Sequence, residues 1–206
     1  MEPKWLDWSR RLAAISQSGL HYSENHYEIE RFRAISDIAA EMMAGGGDME
    51  KVVFAELFSR QAGYATPKVD VRGAAFRDDE ILLVKESVDG LWTLPGGFAD
   101  VGDSPSEAVV REVVEESGFQ VRATKLCAVY DRNKHPHKPS FPFHLYKLFF
   151  LCQITGGEPR TSPETDAVEF FAENQLPPLS QGRVLPQQIK RIFQHYRDPS
   201  LATDFD

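Results

Sequence analysis

Cysteine is scarce in this sequence, with only Cys127 and Cys152 among 206 residues. Both lie in apolar runs that are typical of strands, KLCAVY and FFLCQI, and free cysteine in such places behaves as a small buried hydrophobic residue. This usage argues against a disulfide framework and against a cysteine metal site. We therefore expect two buried, reduced thiols.

Long hydrophobic runs and excess positive charge are also missing. No apolar run approaches the ~20 residues that a membrane-spanning helix needs, and no secretory signal pattern opens the chain. The 23 Lys and Arg residues are outnumbered by 31 Asp and Glu residues, which gives a net charge of −8. Because nucleic-acid-binding surfaces are usually basic, we expect a cytoplasmic protein with neither a membrane partner nor a nucleic-acid partner.

Residues 1 to 64 show little strand pattern and predict three helices. Apolar residues recur there at helical spacing. Gly19 is a predicted end for the first helix, Ser23 a predicted cap for the second, and Asp48 a predicted cap for the third. We interpret the segment as a small all-α domain. Since so short a segment has a marginal core by itself, we expect it to contribute to a homodimer.

Residues 67 to 206 change character and predict a second domain. Strand patterns alternate with two helices, which indicates a mixed sheet covered by helices on both faces. The predicted strands lie at 69–76, 81–84, 121–130, 144–154 and 168–171, and the second helix at 187–196. We expect a loop at 156–166 and a frayed tail at 199–206.

The first of these helices follows a Gly96-Gly97 turn. Ser104 is a predicted N-cap, Pro105 suits the first helical position, and Glu107 completes the capping-box spacing. Gly118 is placed to end the helix in a left-handed backbone conformation. An apolar stripe along it predicts one face against a core.

The other face of this helix carries three carboxylates. Glu112, Glu115 and Glu116 have the i, i+3, i+4 spacing that places side chains on one side of a helix. Their repulsion costs roughly a few tenths of a kcal/mol per pair. Such a face is often simply solvated, but a divalent cation would turn the repulsion into binding, because Mg²⁺ and Mn²⁺ prefer oxygen ligands.

The complete spacing resembles the Nudix box of the Nudix hydrolase family. From Gly97 the sequence reads Gly, five residues, Asp103, seven residues, and then REVVEESGF from Arg111. The fixed positions agree with the family pattern except at Asp103, where the family usually has Glu. Because Asp is one methylene shorter, we expect its bridge to Arg111 to be lost or water-mediated, with Asp100 available as a substitute.

The resemblance covers about residues 67 to 196 and implies the α/β/α sandwich of that family. It implies metal-dependent hydrolysis of a pyrophosphate bond, with Mg²⁺ or Mn²⁺ as the cofactor. The implied metal ligands are Glu112, Glu116, Glu115 and the main-chain carbonyl of Gly96. Arg111 is expected to hold the carboxylates in place.

Further stretches are GYATPKVDVRG from Gly63 to Gly73, at the end of the N-terminal helical segment, LPGGFADVG, YDR at Tyr130 to Arg132, and FFAENQLPPLS at 170–180. Together with the box they resemble one bacterial subgroup with an added N-terminal domain, whose members look like CDP-choline or ADP-ribose pyrophosphatases. This implies a nucleoside diphosphate linked to another moiety as substrate, and a nucleoside monophosphate plus a phosphorylated product. Two alternatives are a Nudix ligand sensor that does not cleave its ligand and an enzyme that trims RNA ends. The intact carboxylates favour an enzyme, whereas the linked moiety and the preferred base stay open.

Several residues outside the box are candidates for substrate binding. Guanidinium groups suit phosphate oxygens, and Phe98 is a candidate for stacking on a base. The arginine candidates are Arg72, Arg132 and Arg183. His135 and His137 lack zinc spacing, and we expect both to be exposed.

The candidate catalytic base is Glu164. It lies in the predicted mobile loop, just before a strand, and is separate from the carboxylates assigned to the metal. Glu158 and Asp166 are its alternatives.

Overall fold

The structure, a computed structural model, describes residues 3–46 and 50–206. The chain forms two compact units, which we call the helical unit (Met1–Pro67 with Phe141–His144) and the sheet unit (Lys68–Ser140 with Leu145–Asp206). The predicted cap Asp48 lies outside the described residues. Within the described ranges, no helix is long and apolar enough to cross a membrane.

The helical unit contains α1 (Lys4–Tyr22), α2 (His26–Gly45) and α3 (Lys51–Ser59). One apolar cluster joins the three helices, because α1 and α2 pack along each other and α3 closes against α2. Phe143 of the second segment of this unit packs on the same cluster. The buried members of the cluster are Leu6, Ala39, Ala40, Met43, Phe54 and Phe58.

Two predicted helix boundaries in this unit are wrong. Helix α1 continues through Gly19, and a Cβ built there would lie 2.3 Å from the ring of Phe32 on α2. This glycine therefore serves close helix packing and does not end the helix. The cap of α2 is Asn25 instead of Ser23, since its side chain accepts a hydrogen bond from the Tyr27 N–H.

The sheet unit contains seven strands and two α-helices. Two short 3₁₀ helices, Arg132–Lys134 and Glu173–Gln175, interrupt its loops. The strands are β1 (Lys68–Arg77), β2 (Glu80–Glu86), β3 (Trp92–Thr93), β4 (Phe119–Asp131), β5 (Leu145–Gly157), β6 (Thr165–Phe171) and β7 (Asp204–Phe205), and the helices are α4 (Pro105–Ser117) and α5 (Pro186–Arg197).

The strands form a mixed sheet in the order β3-β2-β1-β5-β4-β7, with β6 paired to β2. The β1–β5 and β4–β7 pairs are parallel and the other pairs are antiparallel. Helix α4 packs on one face through Val109 and Val113. Helix α5 packs on the other through Ile189 and Phe193. The predicted α/β/α sandwich with a mixed sheet is confirmed.

The C-terminal residues are ordered in this structure, so the predicted frayed tail is wrong. Strand β7 pairs with β4, and Asp204 accepts hydrogen bonds from the guanidinium of Arg191, at 2.7 Å from Nη2. The buried His195 ring contacts the same carboxylate at 3.0 Å. These contacts with distant residues order a segment whose own sequence has no strong strand or helix pattern. Cys127 and Cys152 are buried and free, as expected.

Candidate active site

Helix α4 begins and ends as its sequence predicts. The Ser104 hydroxyl accepts from the Glu107 N–H, while the Glu107 carboxylate accepts from the Ser104 N–H, which completes the capping box. Gly118 ends the helix in the left-handed region with φ 78°. Because both ends are fixed, the direction of each side chain along the helix is fixed as well.

The Gly96-Gly97 turn is held tightly between β1 and α4. Val71 N–H donates to the Gly97 carbonyl at 2.8 Å, and Gly96 N–H donates to Glu116 Oε2 at 2.9 Å. Gly96 has φ 145°, and a Cβ there would lie 2.0 Å from the Val71 carbonyl oxygen. A Cβ on Gly97 would lie 2.8 Å from Glu112 Oε2. Only glycine therefore lets this turn approach two box glutamates at once.

The three box glutamates, which we call the carboxylate cluster, differ in burial. Glu116 is only 6% exposed, and this burial raises its pKa to about 7. Burial also raises the pKa of Glu112, against the opposing effect of Arg111. Glu115 lies at the exposed end of the cluster. Two carboxylates are thus partly desolvated without enough positive charge to compensate them.

Arg111 connects this cluster to the loop before α4. Its Nη1 donates to Glu112 at 2.8 Å and to Glu115 at 3.3 Å, and its Nε donates to Asp103 Oδ2 at 3.2 Å. The expectation that the shorter Asp103 loses a direct bridge is therefore wrong. Asp100 Oδ2 lies 3.2 Å from Nη2, but this pair does not have hydrogen-bond geometry.

The donors at this site fit a hard divalent cation. Glu112 and Glu116 both reach the Gly96-Gly97 turn, so two carboxylates lie against the same short stretch of main chain. Carboxylate and carbonyl oxygens are the ligands that Mg²⁺ and Mn²⁺ prefer. Among the residues that the structure describes, no three acidic, His or Cys side chains already form a metal-ready group. Arg111 occupies Oε1 of Glu112, whereas Oε2 faces the Gly97 side of the turn.

Beside the turn lies a second charged group, which we call the paired cluster: Asp70, Arg72 and Lys147. Each is at most 5% exposed. Arg72 donates to Asp70 through Nε at 3.0 Å and Nη2 at 2.7 Å, and Lys147 Nζ donates to the same carboxylate at 2.5 Å. Arg72 Nη1 donates to the Leu94 carbonyl, just before the turn.

In the paired cluster two basic side chains compensate one carboxylate. Burial alone would raise the pKa of Asp70, but Arg72 and Lys147 outweigh it and lower that pKa to about 2. Burial lowers the pKa of Lys147 to about 8, with Asp70 opposing the change. The sequence signal for this cluster was a charged residue within an apolar strand, as in HLYKLFF around Lys147.

The remaining candidates are dispersed. Arg72 and Arg132 are each 4% exposed, and Arg132 Nη2 donates to the Pro139 carbonyl at 2.8 Å. Arg183 is partly exposed and Phe98 is 49% exposed. Glu164 is exposed and precedes β6, close enough to the buried Glu86 to raise the pKa of Glu86.

The expectation that His137 is exposed is wrong. It is 7% exposed, and its ring contacts the Gln181 carbonyl at 2.9 Å and the Gln188 side chain at 3.2 Å. Burial lowers the pKa of His137 to about 4. A histidine in a polar loop gives no sequence signal for this burial, which comes from contacts with Gln181 before α5 and with Gln188 in its first turn.

Two family models match this chain. One is described as a UDP-X-like, N-terminal oligomerisation domain and matches residues 3–58. The other is the NUDIX domain, which matches residues 66–192 and therefore more than half of the chain.

Similar proteins carry related names. The Bacillus subtilis (strain 168) protein "Putative ADP-ribose pyrophosphatase YjhB" is 45% identical over 206 residues, which cover 100% of this chain and 99% of that protein. A crystal structure of an ADP-ribose pyrophosphatase from Streptococcus suis 89-1591 is 42% identical, with a TM-score of 0.63, and covers 68% of this chain and 100% of that one.

A crystal structure of UDP-X diphosphatase matches across both units. It is 31% identical with a TM-score of 0.64, and the match covers 98% of each chain. Nudix hydrolases generally use divalent metal ions, in agreement with the oxygen donors of the carboxylate cluster. The complete box on α4, the sandwich around it and these matches show that the chain belongs to the Nudix hydrolase family, as a pyrophosphohydrolase.

Proposed function

We propose that this chain hydrolyses the pyrophosphate bond of a nucleoside diphosphate linked to a second moiety, with Mg²⁺ or Mn²⁺ as cofactor. The observation that carries the proposal is the pair of desolvated glutamates, Glu112 and Glu116, against the Gly96-Gly97 turn. A site that only sensed its ligand would have no need for two carboxylates kept in this costly environment. Glu115 and the Gly96 carbonyl complete the proposed ligand set.

A cation held by these residues would stabilise charge on the phosphate oxygens and lower the pKa of bound water. Neighbouring protein groups position the proposed metal ligands. Glu116 is fixed by the Gly96 N–H, and Arg111 orients Glu112 and Glu115 through contacts that include Asp103. Arg111 thus acts on the carboxylate cluster rather than on substrate.

Proton removal from the attacking water is assigned to Glu164. Its side chain is exposed, and its backbone is anchored, because its carbonyl accepts from the Ser87 N–H at 2.9 Å and its N–H donates to Ser162 Oγ at 3.2 Å. A carboxylate outside the metal ligands keeps its basicity. Glu158 and Asp166 are the alternative bases in the same part of the chain.

Among the substrate-binding candidates, exposure favours Arg183 and Phe98. Phe98 follows the glycine turn directly and offers half of its ring to a base. Arg72 and Arg132 are buried and engaged with Asp70 and with carbonyl groups. We therefore assign them a structural role: they supply positive charge near the site and hold the neighbouring loops in place.

ADP-ribose is the first substrate to test, because two of the similar proteins are named for its hydrolysis. A UDP-linked compound is the second, because of the full-length similarity to UDP-X diphosphatase. The experiment is a panel with Mg²⁺ or Mn²⁺ that compares ADP-ribose, UDP-linked sugars, CDP-choline, dinucleoside polyphosphates and NTPs. Release of a nucleoside monophosphate from a linked diphosphate supports the proposal, whereas binding without cleavage across the panel contradicts it.

We also propose that residues 1–64 form a domain that makes the chain a homodimer. Three large apolar side chains of α1, namely Trp8, Ile15 and Tyr22, recur every seven residues and are each at least half exposed. Residues at that spacing lie along one side of a helix. The family model for residues 3–58 is itself described as an oligomerisation domain.

The homodimer is tested by replacing Trp8 and Ile15 with glutamate and measuring molar mass by light scattering. We expect the wild-type chain to be a dimer and the double variant to be a monomer. Lys4→Glu on the same helix is the control for added negative charge. A monomeric wild-type chain would contradict the proposal.

A further inference from the structure

Glu86, the last residue of β2, is a buried carboxylate outside the Nudix box. It is 4% exposed, and its Oε1 forms an ion pair with Arg183 Nε at 2.7 Å. Burial raises the pKa of Glu86, although Arg183 and Arg72 oppose the change. An ionised carboxylate is costly to bury even when it is paired, so its presence indicates a task other than packing.

The backbone around Glu86 is fixed by a closed turn. Glu86 N–H donates to the Leu91 carbonyl, and Gly90 N–H donates to the Glu86 carbonyl, both at 2.9 Å. Within this turn Asp89 accepts through Oδ1 from the Leu91 N–H at 2.9 Å. Its other oxygen, Oδ2, accepts from the Ser180 hydroxyl at 2.7 Å and lies 3.4 Å from Arg183 Nη1. Glu86 and Asp89 therefore contact the Arg183 guanidinium at two adjacent nitrogens.

The third nitrogen of that guanidinium is open. Nη2 of Arg183 has no hydrogen-bond partner among residues 3–46 and 50–206, and the side chain is 32% exposed. A guanidinium with one edge fixed and the other open loses little entropy when it binds an anion. Phosphate oxygens are the acceptors that this planar fork suits best.

The residues that hold Arg183 are connected to α4 and to the strand before the glycine turn. In the β2–β6 ladder Glu86 lies opposite Thr165, whose hydroxyl donates to the Glu116 carbonyl at 2.9 Å. On the other side, Ser180 N–H donates at 2.8 Å to the carbonyl of Trp92, on the strand that leads into the glycine turn. Glu86 is also close enough to raise the pKa of Glu116.

We propose that Glu86 is a positioning residue that fixes the Arg183 guanidinium beside the carboxylate cluster, where its open Nη2 edge binds a phosphate oxygen of the nucleoside diphosphate substrate. This inference rests on the proposed function. Since Arg183 is preorganised before substrate arrives, Glu86 contributes to binding and acts only through Arg183.

The first test is Glu86→Gln, which keeps the size of the side chain and an oxygen acceptor but removes its charge. With ADP-ribose as substrate, we expect KM to rise about tenfold while kcat changes less than about threefold. Arg183→Met should raise KM at least as much. A loss of kcat at unchanged KM would overturn the proposal, because it would place Glu86 in the chemical step.

The second test is a double-mutant cycle. If Glu86 acts through Arg183, Glu86→Gln adds nothing to kcat/KM once Arg183→Met is present. Two independent losses that multiply would overturn the proposal. Thermal unfolding of each variant separates these effects from misfolding, and Arg183→Met provides a readout at a partly exposed side chain if Glu86→Gln does not fold.

The matched control is Glu173→Gln, which removes another carboxylate–arginine pair, with Arg197 Nη2 at 2.6 Å, outside the site. Its KM should equal that of the wild type.

Calorimetric Kd values for ADP-ribose in EDTA separate binding from cleavage. Wild-type binding without cleavage would defeat the proposed function, but a Kd weakened by Glu86→Gln would still support the positioning role. A wild-type chain that binds no compound of the panel would overturn both.

Discussion

The paired cluster and the two desolvated glutamates of the carboxylate cluster, Glu112 and Glu116, both lie in the sheet unit, but only the paired cluster has enough positive charge to compensate its carboxylate. In the paired cluster, Arg72 and Lys147 lower the pKa of Asp70 to about 2. In the carboxylate cluster, burial raises the pKa of Glu116 to about 7, and the nearby Arg72 does not compensate it. The first group is complete without any ligand, whereas the second carries uncompensated negative charge that a cation can relieve.

This difference assigns a structural role to the paired cluster and a catalytic role to the carboxylate cluster. The paired cluster lies under the glycine turn and fixes it through the Arg72 contact to the Leu94 carbonyl at 3.1 Å. The carboxylate cluster faces that turn from α4. Removing a charge from the paired cluster should therefore destabilise the folded protein. Removing a charge from the carboxylate cluster should abolish activity without destabilising the folded protein.

The largest expected effect comes from Glu116→Gln. This change removes a proposed metal ligand at the place where negative charge develops on phosphate, and groups of this kind are worth about 3–4 kcal/mol in the transition state. We expect kcat to fall about a thousandfold at saturating metal, with the fold intact by circular dichroism. Turnover close to that of the wild type would remove Glu116 from the metal site.

The paired cluster should respond in stability instead. Asp70→Asn leaves Arg72 and Lys147 buried without their counter-charge, and breaking a buried pair in this way costs about 3 kcal/mol or more. Urea unfolding measures the loss. The matched variant Lys147→Met keeps the Asp70–Arg72 contacts and should cost less. Equal losses in the two variants would show that the charges are not coupled as the structure indicates.

The pH dependence of stability should have opposite signs in the two clusters. Because Glu116 binds its proton up to about pH 7 when folded but only to about 4.5 when unfolded, the folded state holds more protons in that window. Stability in EDTA therefore falls as the pH rises from 4.5 to 7, by on the order of 3 kcal/mol.

This window is tested by unfolding wild-type protein and Glu116→Gln in EDTA. The variant should match the wild type near pH 4 and be the more stable protein at pH 8. Asp70, with its lowered pKa, contributes stability that is present above pH 3.8 and is lost as the pH falls toward 2. A wild type that is more stable to unfolding than Glu116→Gln at pH 8 would contradict the cost assigned to burying the ionised Glu116 carboxylate.

A smaller loss is expected when the proposed base is changed. Glu164→Gln should lower kcat about a hundredfold and flatten the acidic limb of its pH profile, while metal affinity stays nearly unchanged. Glu169→Gln, at an exposed position farther along β6, is the matched control and should keep wild-type kcat. Full activity with an unaltered profile would move the role to Asp166, Glu158 or a box glutamate.

The sequence predicted the carboxylate cluster because its signals are local. The capping box, Gly118 and the i, i+3, i+4 spacing all lie within α4, so one helix is enough to bring the glutamates together. The same reasoning did not place Asp70 with Lys147, because these residues are 77 positions apart. Only the parallel register of β1 and β5 makes them neighbours.

The other errors have the same physical origin. Gly19 is a local stop signal, but close packing against Phe32 keeps the helix going. The tail around Asp204 has no strong strand pattern, and its order depends on the Arg191 and His195 contacts. Asp103 was expected to fall short of Arg111, but the loop brings the two side chains to 3.2 Å. Tertiary contacts decided each case, and no local pattern encodes them.

The smallest expected effect is the stabilisation of the folded chain by its cation. A ligand that binds only the folded state adds about 1.4 kcal/mol at ten times its Kd. Mg²⁺ or Mn²⁺ at that excess should therefore raise the unfolding free energy of the wild type by this amount at pH 8, since it relieves the charge on Glu116 and Glu112. Asp70→Asn should keep the gain, because the paired cluster needs no cation. Glu116→Gln should lose it. NaCl at the same ionic strength controls for screening, and an equal gain in Glu116→Gln would show that the cation binds elsewhere.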